Sequence, residues 1–216
     1  MLTLPTVAQI RRITPADPLY PQECALREDV LLKPIGYDLP RFQREFAGLE
    51  NRFEHFVAVT HRPGNASRPM AGVDSANTEP APINGTTPAS AMNTDTGNGT
   101  AGGPCVIGCA ALLPNYPAPG VGKLMQMAVD RQRQGEGIGR RLVVAVESRA
   151  FGELGLSELF CHAQVPAVGF YESLGWEIAS DEFFEAGIPH RKMVMRSPGA
   201  PGESTTGTPA DADEIG

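Results

Sequence analysis

Apolar residues in this chain gather in short runs with two different periods. His55-Phe56-Val57-Ala58-Val59, Cys105 to Leu113 and Val121 to Val129 are dense runs of strand length. Val7 to Ile13, Leu159 to His162, Trp176 to Ser180 and His190 to Met195 are shorter ones. Between them the period lengthens. Leu19, Ala25, Leu26, Val30, Leu31 and Leu32 make a helical stripe that Pro34 and Gly36 end. Asp17 is expected at its N-cap, with Pro18 at the first helical position. Phe42 to Phe46 adds a helical turn, and Ile138, Leu142, Val146 and Ala150 line a further helix. Residues 166–174 predict another, with Val168, Tyr171 and Leu174 on one face and Gly175 just past its end. The expected order is β-α-α-β-β-β-α-β-α-β-β.

Two stretches break the pattern. Residues 62–104 contain no Leu, Phe, Tyr or Trp, and residues 197–216 are similar in character and acidic. Neither can bury enough apolar area to offset the entropy of ordering, so both are expected to be disordered. The organisation is then one domain over residues 1–196, interrupted by the 62–104 insert where a tight hairpin would serve, and followed by a tail. Long loops are tolerated there because closure entropy grows slowly with length. Roughly 150 residues remain, enough for a single core. Much of the net charge of −7 lies in the insert and the tail, and nothing basic suggests a nucleic-acid partner. No stretch approaches the ~20 apolar residues that span a bilayer, and no leader pattern opens the chain, so a cytoplasmic protein is expected. The sequons at Asn65, Asn84 and Asn98 read as chance in a tract rich in Asn, Ser and Thr. The four cysteines form no C-x-x-C pair and are expected to be reduced. Cys105 and Cys109, on one strand, would stand roughly 13 Å apart. Cys161 beside His162 lacks further ligands at metal spacing, so no metal is expected.

The most informative chemistry lies in Gln134-Gly135-Glu136-Gly137-Ile138-Gly139-Arg140-Arg141, after an apolar strand and at the mouth of a helix. Alternate glycines let backbone approach a bulky anion, and the helix N-terminus aims free N–H groups at the same point. A Walker loop needs Lys and Ser or Thr after its last glycine, where Arg140 and Arg141 stand. A dinucleotide fingerprint needs its third glycine at Arg140 and an acid about 20 residues on; the strand ending at His162 supplies none.

What remains, Gln134-x-x-Gly137-x-Gly139, resembles the pyrophosphate loop of the GCN5-related N-acetyltransferases (GNAT). About 35 residues on, Phe170-Tyr171-Glu172-Ser173-Leu174-Gly175-Trp176 resembles that family's FYxxLGF signature. The resemblance covers residues 7–196 apart from the insert. It implies an α+β acetyl-CoA N-acyltransferase fold, a mixed, mostly antiparallel sheet flanked by helices. Ala186-Gly187-Ile188-Pro189-His190 and Ala25-Leu26-Arg27 are similar to the ElaA and YjcF branch. By resemblance, acetyl-CoA is the co-substrate. Met127, Ala128 and Val129 would bond its pantetheine and polarise the acetyl carbonyl. Gln134, Gly135, Gly137, Gly139 and Arg140 would hold its pyrophosphate, and Tyr171 would protonate the leaving thiolate. The base that frees the amine is unassigned: Glu54, His55, His162 and His190 are candidates, with His162 preferred where the central strands splay. Arg27 and Glu28 are set aside as solvated helix charges. The acceptor is an amine of a small molecule or a protein, with no nucleic acid or membrane involved, and homodimerisation stays open. A non-catalytic acyl-CoA-binding module is the rival reading.

Overall fold

The computed structural model describes residues 8–45, 48–61 and 103–199. Their eight strands form one sheet: β1 (Gln9–Ile13), β2 (Glu54–His61), β3 (Pro104–Pro114), β4 (Val121–Val129), β5 (Glu158–Gln164), β6 (Glu177–Ile178), β7 (Phe183–Glu185) and β8 (Ile188–Arg196). The order in space is β1-β2-β3-β4-β5-β8-β6, with β7 also on β8. Every pairing is antiparallel except β4 with β5. The α-helices are α1 (Tyr20–Arg27), α2 (Leu39–Glu45), α3 (Ile138–Glu147) and α4 (Val168–Glu172). This is the α+β architecture expected, with one strand more.

Central strand β3 explains the layering. Its side chains alternate between faces. Ala110 and Leu112 pack with Leu142 and Val146 of α3 and Tyr171 of α4. Cys109, Ala111 and Leu113 pack on the other side, with Leu19, Leu32 and Phe42 of the N-terminal helical segment. Both faces are covered, so β3 reads as an unbroken apolar run rather than an alternating one. On α3, Ile138, Leu142, Val146 and Ala150 are buried, as their spacing requires. Gly175 follows α4 with φ +90°, the left-handed residue expected past that helix.

Three local expectations are corrected. Asp17 caps a turn ahead of α1 rather than α1 itself: its Oδ1 accepts from Leu19 N at 2.9 Å. Leu19 takes the N-cap place, and Pro21, not Pro18, occupies the first helical turn. Beyond Arg27 the helix widens into a π-helical turn, Glu28–Leu32, and stops at Gly36 with φ +71°. Secondly, β7 has no place in the expected order. It folds onto β8 through the two-residue turn Ala186-Gly187, both at positive φ. Such turns are ordinarily marked by Asn-Gly, and alanine at the first position hides the hairpin. Thirdly, β3 begins at Pro104, paired with His61. Residues 62–102 of the insert, its three sequons, and the tail from residue 200 lie outside the described residues. Ser197 is still tied to the sheet, through its N–H to Ser157 O at 2.9 Å.

All four cysteines are free thiols. Among the described residues no helix is long and apolar enough to cross a membrane.

Leu142 is fully buried between α3 and β3. Leu142→Ala should lower unfolding free energy by about 2–5 kcal/mol in urea titrations, and Leu142→Met by under about 1.5 kcal/mol.

Candidate active site

Strands β4 and β5 pair only over Val121–Lys123 with Glu158–Phe160 and then part. A bulge lies at the point of parting. Cys109 faces Ala128 and Ala111 faces Met125, so two residues, Gln126 and Met127, stand against Ala110. Gln126 carries the strain, with φ +53°. Past the bulge, Asp130 N donates to Ile107 O of β3 at 2.9 Å. By strand alternation the amide of Val129 faces the opposite, open side, while Ala128 turns its amide to β3. Val129 O there accepts from Gln134 Nε2 at 3.3 Å. The parting leaves a cavity of about 870 Å³. Its walls include Lys123–Val129 of β4, Cys161–Gln164 of β5, the glycine loop, Tyr171, and apolar side chains from the α1–α2 segment.

At the end of β4 the chain makes an open cradle. Gly135 and Gly137 sit at φ +82° and +75°, and a Cβ on either would meet nothing within 4 Å. Gly137 is the N-cap of α3 and supplies no side-chain cap, so the first N–H groups of that helix are free for an anion. Gly139 has a different reason: a Cβ there would lie 3.2 Å from Met127 Cε and 3.3 Å from Phe170 Cζ. Its absence lets α3 close on the wall. Arg140 lines the cavity and is exposed. Arg133 is clamped to Glu136 at 2.7 and 2.8 Å. The glycines, the free helix amides and the open Val129 amide suit the pyrophosphate and amide-bearing arm of coenzyme A. Among the described residues no group of three His, Cys, Asp or Glu could hold a metal.

Tyr171 and His162 both line this cavity. Tyr171 is buried beside Cys161, its hydrogen-bond partner, and burial pushes its hydroxyl well above the ordinary range. Burial likewise pushes the Cys161 thiol up to about 12. Both groups therefore keep their protons at neutral pH. His162 Nδ1 lies 2.7 Å from Glu185 Oε2. That contact holds the Glu185 carboxyl below its usual range. Glu185 is the residue sequence reasoning missed, because the hairpin that delivers it was hidden. Of the other candidate bases, His190 lines the cavity with Nδ1 on Ile188 O at 2.8 Å. His55 and Glu54 do not line it. His55 is buried against Glu23, and Glu54 is bonded to Arg149 at 2.7 and 2.8 Å.

Arg27 is a correction. It is fully buried, not a solvated helix charge. Its guanidinium meets Glu50 Oε1 at 2.6 Å, Glu23 Oε1 at 3.5 Å and, through Nε, Gln126 Oε1 at 3.3 Å. Glu23 Oε1 also lies 3.0 Å from His55 Nδ1, and the Tyr20 hydroxyl donates to Glu50 at 2.8 Å. The network thus grips the strained residue of the bulge from behind. Burial alone would raise the Glu50 carboxyl, but Arg27 and Tyr20 outweigh it and hold it below the usual range.

Residues 103–197 match the family model of the acetyltransferase (GNAT) domain. Over these residues the chain is similar to a GNAT domain. A Bacillus subtilis protein designated an acetyltransferase is 39% identical over 79 residues, 37% of this chain and 53% of that protein. The N-acetyltransferase YjcF of the same organism is 37% identical over 76 residues, 35% of this chain and 54% of YjcF. The chain thus spans about half the length of the curated relatives it matches. Among solved structures, Escherichia coli ElaA aligns with TM-score 0.56 at 12% identity, over 87% of this chain and 98% of ElaA. An acyl-CoA N-acyltransferase from Pseudomonas aeruginosa aligns with TM-score 0.55 at 15% identity, over 87% and 98%. At such identities the structures speak for the GNAT fold alone.

Removing Arg27 would strand the buried carboxylates. Arg27→Met should destabilise the protein by about 3–5 kcal/mol in chemical denaturation. Because the folded Glu50 carboxyl titrates below its unfolded value near ~4.3, its pairing stabilises the protein above that pH and is lost as pH falls. Glu50→Gln should therefore cost stability at neutral pH, and the gap to wild type should narrow towards about pH 3.

Proposed function

We propose that the protein is an N-acetyltransferase that moves an acetyl group from acetyl-CoA to an amine by direct attack. The observation that carries this reading is the parting of β4 from β5. It puts an anion cradle, open strand amides, His162 and Tyr171 on the walls of one cavity. Bound acetyl-CoA would supply the activated acyl carbonyl. The chain's own residues would do the rest. Gly135, Gly137 and the first amides of α3 would hold the pyrophosphate, with Gln134 bracing the strand end and Arg140 adding charge. The Met127 and Val129 amides would align the pantetheine arm and polarise the carbonyl; Ala128 would set their register. His162, its Nδ1 held by Glu185, has Nε2 left to take a proton from the attacking amine. Tyr171, protonated and half in the wall, would return a proton to the departing sulfur. Holding both partners in line would lower the barrier further.

The rival is an acyl-CoA-binding module of the same fold without turnover. The His162–Glu185 pair favours the enzyme, since a binding module has no use for an oriented imidazole in the cavity. Thiol release should be followed over a panel of amines, with acetyl-CoA affinity measured separately by calorimetry. Tyr171→Phe and His162→Gln should each lower kcat by about 10²-fold or more while leaving affinity for acetyl-CoA within a few-fold. Tight binding without turnover on any amine would favour the module. Gly137→Val forces a branched side chain to positive φ at the mouth of the cradle, and should weaken acetyl-CoA binding at least about tenfold.

A further inference from the structure

The cavity has a cation with no task in the reading above. Leu124 packs with α3, and Met125 packs on the opposite face, towards Leu32 and Phe42. By alternation Lys123 lies on the Met125 face. On β5, Leu159, Cys161 and Ala163 belong to the α3 side, so Phe160 and His162 share the face of Lys123. Lys123 pairs with Phe160, and its ammonium stands 5.7 Å from the centre of that ring. His162 is two residues on along β5, so with ~4.8 Å between strands and ~3.3 Å per residue Lys123 and His162 start at least about 8 Å apart on one surface.

Three cations line the cavity: Arg133, Arg140 and Lys123. The two arginines stand at the glycine loop. Lys123 stands six positions before Val129 on β4, roughly 20 Å away along the strand, beyond reach of an anion seated in the cradle. Among the described residues it makes no ion pair. The nearest lining carboxylate that acts on it, Glu185, is already bonded to His162. Burial pushes the Lys123 ammonium below its ordinary range, with Glu185 opposing, so an anion beside it would relieve a strained charge. The same cavity is lined by Leu31, Leu32, Ile35, Tyr37 and Phe42, an apolar and aromatic wall.

We propose that Lys123 is the anion-recognition residue of the acceptor subsite, and that the acceptor is a compact amine bearing a carboxylate and an apolar body, such as an apolar amino acid. Its carboxylate sits on Lys123, its amine reaches His162, and its side chain lies against the α1–α2 wall. A spacing from about 8 Å between the two side-chain origins, shortened by the reach of the lysine, suits an amine and a carboxylate held on one small molecule. The inference rests on the acetyltransferase reading.

The test pairs each amino acid with its decarboxylated analogue: leucine with isoamylamine, phenylalanine with phenethylamine. Wild type should favour the carboxylated member by at least about tenfold in kcat/KM. In Lys123→Met that preference should collapse towards unity through KM, and Lys123→Arg should restore most of it. In parallel, N-acetyl-leucine and N-acetyl-isoamylamine are titrated calorimetrically into CoA-saturated protein. Wild type should bind the acid at least about tenfold more tightly than its uncharged counterpart, and Lys123→Met should lose the difference. Equal use of both members by wild type, or a preference that survives Lys123→Met, overturns the proposal. If no amine is turned over, the catalytic reading fails, and the calorimetric comparison still decides the subsite on its own.

Discussion

The site depends on a strand that is not allowed to stay paired. β4 begins as an ordinary member of the sheet, bonded on both sides, and ends bonded on one. Pairing with β5 ends at Lys123, and three residues on an extra residue against Ala110 puts Gln126, unbranched but still chiral, into left-handed backbone. Without that turn of the strand, the β4 amides past Lys123 would be consumed by β5. There would be no cavity and no backbone polarity to aim into it.

Left-handed backbone at a residue other than glycine persists only where its surroundings over-determine it. Here they do. Arg27 holds the Gln126 side chain, Glu50 and Glu23 hold Arg27, and His55 closes the set against Glu23. A buried ionic cluster of this kind is seldom the cheapest way to fill a core, since desolvation offsets most of the attraction. Two of its atoms, Glu23 Oε2 and His55 Nε2, have no hydrogen-bond partner among the described residues. Its worth lies in fixing one geometry for the bulge, which apolar packing of equal volume would leave free to slip.

What could be read in the sequence follows from locality. The glycine loop was legible because left-handed turns and helix mouths leave marks within a few residues, and the α4 signature because its spacing and its glycine are equally local. The layered sheet was legible from apolar runs and periods. The ionic cluster was not: Arg27 and Gln126 are separated by 99 positions, and each alone looks like a solvated polar residue. Glu185 escaped for another reason. Its hairpin turns on Ala186-Gly187, where the alanine at φ +49° suppresses the signal that asparagine would have given. The residues that escaped are those defined by tertiary neighbours rather than by pattern.

The join between β2 and β3 has a topological consequence. His61 and Pro104 are paired neighbours, and Gln22 of α1 fastens the start of β3 through Pro104 O and Val106 N. β3 runs against β4, so that join lies on the same edge of the sheet as the turn after Val129. Chain added between the two strands leaves and re-enters the domain at the end of the sheet that carries the glycine loop. The opposite end, where Lys123 meets Phe160, carries neither junction. The fold thus sets the two junctions and the proposed acceptor subsite at opposite ends of β4.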